Sequence, residues 1–393
     1  MISTQVEGYA KKGDITLSRM MQAMSPVFVP RHAYGSAAVG SEGSAVDRLK
    51  KFMKWRSDAE EEAWMAETGW NLLMFAAAMD DGPAIDELLS QDAATVERLF
   101  AAKGNDMVCP GNSKKGTPLR REPLGQKLLE FAKDMTPMIA STTFASRAVC
   151  EKMMDAGGAA AVERDGLKLL GARPCLFRGA IVAGKHENVK LVLERYPHIA
   201  KQLDPDFGTC VLHMACGTTA CRGQSKVMKE LLACPGAVES INSVNSPIFG
   251  SVLGTACFFE DQDPETVRML LEAGADPSKP EVLHPIAESM RKKTAIGKFL
   301  GNVQARGFHK MLAALPARFK QSPTHIAAKK GDLALVKVLA EHEKFAVAQY
   351  EDTKGRTPVA LAVNDTVKTA FAEIVGPAAV ATPVPANKVA PEQ

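Results

Sequence analysis

The sequence predicts an all-α solenoid of stacked helix-turn-helix units joined by short hairpin turns. Three observations predict it. A short phrase returns along most of the chain. The returns are nearly evenly spaced. Each copy combines a capped helix start, a glycine turn and a second apolar stripe. The 393 residues, 46% hydrophobic and 24% charged, suffice for one large globular or solenoid body and exclude a disordered chain.

The clearest copy is SPTHIAAKKGDLALVKVL from Ser322, followed by GRTPVALAV from Gly355 and GTCVLHMAC from Gly208. AIVAGKHENVKLVLERYP from Ala180 supplies the middle of the unit, and VRMLLEAGADPS from Val267 supplies its end. The alanine closing each phrase serves as a ruler: Ala180 to Ala215 and Ala327 to Ala362 are both 35 residues, while Ala215 to Ala256 is 41, stretched around CRGQS and EDQD. Weaker copies place Ala76 in the same role and begin at Met135, and VLHPIAESM near Leu283 reads as a damaged one. Six to eight units are expected on this count.

Each part of the phrase has a physical task. The hydroxyl of Ser322 or Thr357 can cap a helix, and Pro323 or Pro358 then stands at the first helical position, where a missing N–H costs nothing. Gly184 and Gly331 fall where a short helix must reverse, and Gly274 ends the second helix of another copy. Val189, Leu191, Val192 and Leu193 form that helix's buried stripe. One unit cannot bury its apolar face alone, so stability accumulates by stacking.

These phrases resemble the ankyrin repeat over residues 67–375, through its G-x-T-P-L-H-x-A-A start, its V-x-x-L-L helix and its closing G-A-D. The resemblance implies that His213 and His325 tie turn to helix. Met74, Arg178, Gly254 and Ala360 depart from it by replacing the histidine, and residues 95–135 match no unit well. It also implies a non-enzymatic protein-binding scaffold or adaptor that grips partners by its hairpin tips and inner helix face. The positions carried over are Asp206, Phe207, Thr209, Arg318, Phe319, Gln321, Lys329, Lys330, Lys354 and Arg356.

Outside the array, residues 1–45 end in the linker-like YGSAAVGSEGS, and residues 376–393 form a Pro/Ala/Val tail; both are expected to be disordered. Residues 46–66 read as an amphipathic helical cap with Leu49, Phe52, Met53 and Trp64 on its apolar side, rather than as a calmodulin-type target helix. Eight cysteines without C-x-x-C pairs suit reduced thiols in the cytoplasm or nucleus, with no disulfides. No apolar run is long enough to span a membrane, and the first residues lack a secretory core. Residues 9–34 carry four basic side chains, but Glu7 and Asp14 weigh against a mitochondrial transit peptide.

Hidden chemistry finds little support. GNSKKGT at residues 111–117 lacks the lysine after its second glycine that a phosphate-binding loop needs. Cys210, His213, Cys216 and Cys221 lie close together but fit no common zinc spacing, and His213, His284 and His325 sit in repeat contexts without a nucleophile phrase. No cofactor is expected. The rival reading is an enzyme or metal-binding protein that uses the ill-matched residues 95–135.

Charge supplies the sharpest functional signal. With 48 basic and 45 acidic residues the net charge is only +3, which makes nucleic acid an unlikely general partner. From Ser289 to Lys320, however, eight basic residues including Arg291, Lys292 and Lys293 stand without one Asp or Glu, so the stretch carries +8 and the remainder −5. A solvated insertion explains this segregation, and so does a docking site for an acidic partner, whether a protein, a phosphate group or nucleic acid; an acidic protein surface is the partner expected.

Overall fold

The structure, a computed structural model, describes residues 43–52, 57, 59, 62, 69–104, 135–164, 175–204, 208–217, 224–246, 250–258, 263–277, 281–283, 319–342, 350–352 and 354–375. A first helix, α1 (Ala45–Phe52), is followed by α2 (Leu72–Met79), α3 (Gly82–Leu89) and α4 (Ala93–Ala101). Then come α5 (Pro137–Phe144), α6 (Arg147–Arg164, broken at Gly158), α7 (Leu176–Val182) and α8 (His186–Arg195). After a 3₁₀ turn at Pro197–Lys201 follow α9 (Val211–Gly217), α10 (Gln224–Leu232), α11 (Pro235–Val238) and α12 (Ser240–Ser243). The C-terminal part holds α13 (Val252–Phe258), α14 (Pro264–Glu272), α15 (Pro323–Lys330), α16 (Leu333–His342), α17 (Pro358–Leu361) and α18 (Asp365–Val375).

Among the described residues seven units emerge when inner and outer helices are paired: α2/α3, α5/α6, α7/α8, α9/α10, α13/α14, α15/α16 and α17/α18. Each inner helix packs on the next inner helix and each outer helix on the next outer helix, in one unbroken succession. This is an all-α solenoid. The buried residues form one continuous core from Ala45 to Phe371. Helix α1 packs on α2 and α3 with Leu49 fully buried, so it covers the flank of the first unit. The other expected cap contacts, Met53 and Trp64, lie outside the described residues.

Local sequence explains the inner helices. Asn71, Thr136, Cys175, Ser251, Ser322 and Thr357 each accept a hydrogen bond from the backbone N–H three residues on, satisfying a helix-start donor. Cys210 holds the same position ahead of α9. The caps are spaced unevenly in sequence. Gly104 N–H donates to the Met135 carbonyl at 2.7 Å. Strands β3 (Glu281–Leu283) and β4 (Phe319–Gln321) pair antiparallel, Leu283 opposite Phe319.

Of the stretch expected to be a damaged unit near Leu283, only Val282 and Leu283 are described, in β3, and the rest lies outside the described residues; α13 packs directly on α15 and α14 on α16. A second short ladder pairs β1 (Asn245–Ser246) with β2 (Gly250–Ser251) ahead of α13. Among the described residues, no helix is long and apolar enough to cross a membrane.

Candidate functional site

The surfaces open to a partner depend on what the joints between units consume. His213 Nε2 meets the Gly250 carbonyl at 3.0 Å, and His325 Nε2 meets the Arg356 carbonyl at 2.9 Å; both carbonyls belong to the hairpin that leads into the next unit. A carbonyl only accepts, so the proton sits on Nε2 and Nδ1 is left as an acceptor. It receives the backbone N–H of Cys210 in one unit and of Ser322 in the other, and Ser322 Oγ stands 2.7 Å from the His325 ring. Both imidazoles are thus engaged at both nitrogens. Burial pushes the His213 pKa down to about 4 and also lowers that of His325.

Where the histidine is replaced, other side chains make the joint. Arg178 Nη2 donates to Asp204 Oδ2 at 2.8 Å, a buried ion pair reaching the next hairpin. Asn71 Nδ2 donates to the Leu99 carbonyl at 2.7 Å. Asn188, on the outer helix α8, reaches back to the carbonyls of Thr142 and Ala145. Nothing in the phrase itself announces these bonds. Asp204 precedes Gly208 and Asp352 precedes Gly355, and the backbone carbonyl of each accepts that glycine's N–H, while the carboxylates face Arg178 and Arg356.

Asp352 organises the last hairpin. Burial works to raise its carboxyl, but the Arg356 side chain, the backbone N–H groups of Arg356 and Lys354, and Gln321 together hold it down to about 2. Arg356 grips Asp352 Oδ2 through Nε at 2.9 Å and Nη2 at 2.6 Å.

The expected contact residues therefore fall into three groups. Asp206, Phe207, Arg318, Arg291, Lys292 and Lys293 lie outside the described residues, as does His284. Thr209 and Gln321 are buried, at 7% and 4% exposure; the Thr209 carbonyl receives the Asp204 N–H, and Gln321 lies 3.5 Å from Asp352. Phe319 stands in β4. Lys329, Lys330 and Arg356 are half-buried, with Lys330 paired to Asp332 and Arg356 to Asp352, while Lys354 is exposed.

Zinc chemistry gains no geometry either. Among the described residues no three His, Cys, Asp or Glu side chains gather as a metal site, and Cys221 lies outside them. Cys210 is a buried helix-start residue whose thiol burial pushes up to about 11; Cys216 lies inside α9, and burial raises its thiol as well. The described cysteines are free thiols.

No family model matches the sequence, and no curated protein matches it. Among solved structures the chain is similar to the human ASB11 ankyrin repeat domain, with 18% identity, 78% of this chain and 99% of that chain covered, and a TM-score of 0.46. With its inner helices begun by side-chain caps, its paired outer helices and its histidine bonds to the following hairpin, the described chain is an all-α array of stacked two-helix units.

Proposed function

We propose that this chain is a non-enzymatic protein-binding scaffold that docks an acidic partner at the hairpin edge of its array. One observation supports the reading: the +8 charge of residues 289–320 falls in sequence between β3 and β4, which pair antiparallel ahead of α15, and Lys320 itself stands in β4. Long-range attraction would draw an acidic surface toward that edge and set its orientation. The histidines support a scaffold over an enzyme, because their ring nitrogens are occupied by backbone groups.

The test converts Arg291, Lys292 and Lys293 together to Glu and titrates a partner recovered by affinity capture at two salt concentrations. Binding should weaken and lose its salt dependence, since exposed charges act through a field screened within about 8 Å at physiological salt. Unchanged affinity at both concentrations would remove the basic stretch from the docking site.

A further inference from the structure

The seventh unit is the last of the described array, and its caps fix how it aligns with the sixth. Thr357 caps α17 as Ser322 caps α15, and Asn364 accepts the Val367 N–H as Asp332 accepts that of Leu335. Val359, Ala360, Leu361 and Val363 thus stand where the sixth unit has Thr324, His325, Ile326 and Ala328, and Ala372 stands where it has Ala340. Those residues of the sixth unit are all buried, with the seventh unit stacked on it. In the seventh, Val359, Leu361 and Ala372 are half-buried, Ala360 is exposed, and Val363 is 61% exposed. The outermost unit of a solenoid needs a polar outer face, and this inner-helix face is apolar. At the opposite end, α1 covers the first unit with Leu49.

We infer that residues 376–393, which continue directly from α18, fold back over this end face and shield it. Fifteen positions separate Arg195, at the end of α8, from Cys210 ahead of α9, and fifteen separate His342, at the end of α16, from Thr357. The chain leaving an outer helix therefore reaches the next inner layer within that length, and residues 376–393 suffice for the same crossing. Their chemistry suits the face. They hold one Lys and one Glu, while Val380, Val384, Val389 and several alanines supply apolar area. Their prolines oppose a helix and carry no N–H, so an extended chain laid on an apolar face leaves fewer donors unpaired. Ala360 stands where His213 and His325 tie earlier units to the following hairpin, so what covers this face must hold by apolar contact. Composition alone predicts a disordered tail; burial against Val363 and its neighbours offsets the entropy of ordering it. The inference is independent of the acidic docking reading.

Amide hydrogen exchange on the full chain, read by mass spectrometry, tests it. Val380, Val384 and Val389 changed together to Ser should speed exchange in residues 358–375 by about tenfold and leave residues 176–195 unchanged, because exchange follows local stability. Val363→Glu with the tail intact should do the same, and combining it with the three Ser changes should add little, since both remove one contact. Exchange in 358–375 that ignores the Ser changes overturns the inference. Full additivity overturns it as well, because the tail and Val363 would then act apart. Light scattering excludes the rival occupant: a parent dimer that Val363→Glu dissociates would mean that a second copy, and not the tail, covers the face.

Discussion

The first five units and the last two follow one two-helix plan, yet they treat water and charge differently. Every residue of α2, α5 and α13 is buried, whereas α17 is one turn long with Ala360 exposed and Val363 just beyond it. The outer helices of the first three units are laced by ion pairs across units: Lys152 to Asp86, Arg147 to Glu194 and Glu187, Arg195 to Asp155 and Glu151. The ion pairs described in the last two units are short in sequence: Lys330 to Asp332, Arg356 to Asp352 and Lys368 to Asp365. The same repeat can therefore serve as packed body or as presented surface, according to a few residues per unit.

The largest expected effect breaks the comparison at its joints. His213 fastens the fourth unit to the fifth and His325 the sixth to the seventh, whereas Arg178 and Asp204 fasten the third to the fourth without an imidazole. Because burial depresses the His213 pKa from 6.5 to about 4, the neutral form belongs to the folded state and the unfolded chain binds the extra proton. Stability from this group is thus fully present above pH 6.5 and lost as pH falls toward 4, by roughly 3 kcal/mol from the size of the shift. Asp352 acts in a separate window, losing its contribution as pH falls from 3.8 to about 2. Urea unfolding between pH 7 and 4 should show the first loss, and His213→Asn should flatten it. A parent chain equally stable at both ends of that range would contradict the buried, neutral assignment.

Glycines sharpen the contrast with a smaller effect. A Cβ on Gly179 would lie 2.1 Å from Thr143 Oγ1, and Thr143 is itself buried and bonded to the Ile139 carbonyl at 2.7 Å. Gly179→Ala should therefore cost about 2 kcal/mol through overpacking between α5 and α7. Gly331, at φ 77°, meets the exposed and displaceable Val363 instead. Gly331→Val should cost about 1 kcal/mol or more, chiefly from the left-handed backbone. Thermal unfolding checks both: a loss well under about 1 kcal/mol from Gly179→Ala would mean that Thr143 gives way and that the joint between α5 and α7 is not tightly packed.

Much of this architecture was legible in residues close together in sequence. Ser322, Pro323 and Gly331 encode a start, a first turn and a reversal within ten positions, and the structure shows a capping box and a left-handed C-cap there. The stripe Val189, Leu191, Val192 and Leu193 is buried as its spacing required. What local pattern could not show were bonds whose partners lie a whole unit away. Arg178 reads as a lost histidine until Asp204, 26 residues on, is seen beside it. Thr209 and Gln321 hold positions suited to partner contact in the repeat pattern, but hairpin closure and strand pairing bury them.

The smallest effect concerns the outer ion pairs, and it tests whether they belong to the body alone. Arg195 bridges Asp155 at 2.6 Å and Glu151 at 3.3 Å, with its own side chain 27% exposed and the carboxylates at 64% and 45%. Such exposed carboxylates are well screened, so Arg195→Gln should cost about 0.5–1 kcal/mol at low salt. Raising salt to about 1 M shortens the screening length to about 3 Å and should shrink the difference. Lys368→Gln, which removes a short-range pair with a 97% exposed Asp365, should change stability by no more than a few tenths of a kcal/mol. Urea midpoints of the three chains at low and high salt make the comparison. Should Lys368→Gln cost as much as Arg195→Gln, or the Arg195→Gln loss persist at high salt, pairing across units would not be what distinguishes the first units; the aliphatic stem of Arg195 packing on α6 would then be the cause to pursue.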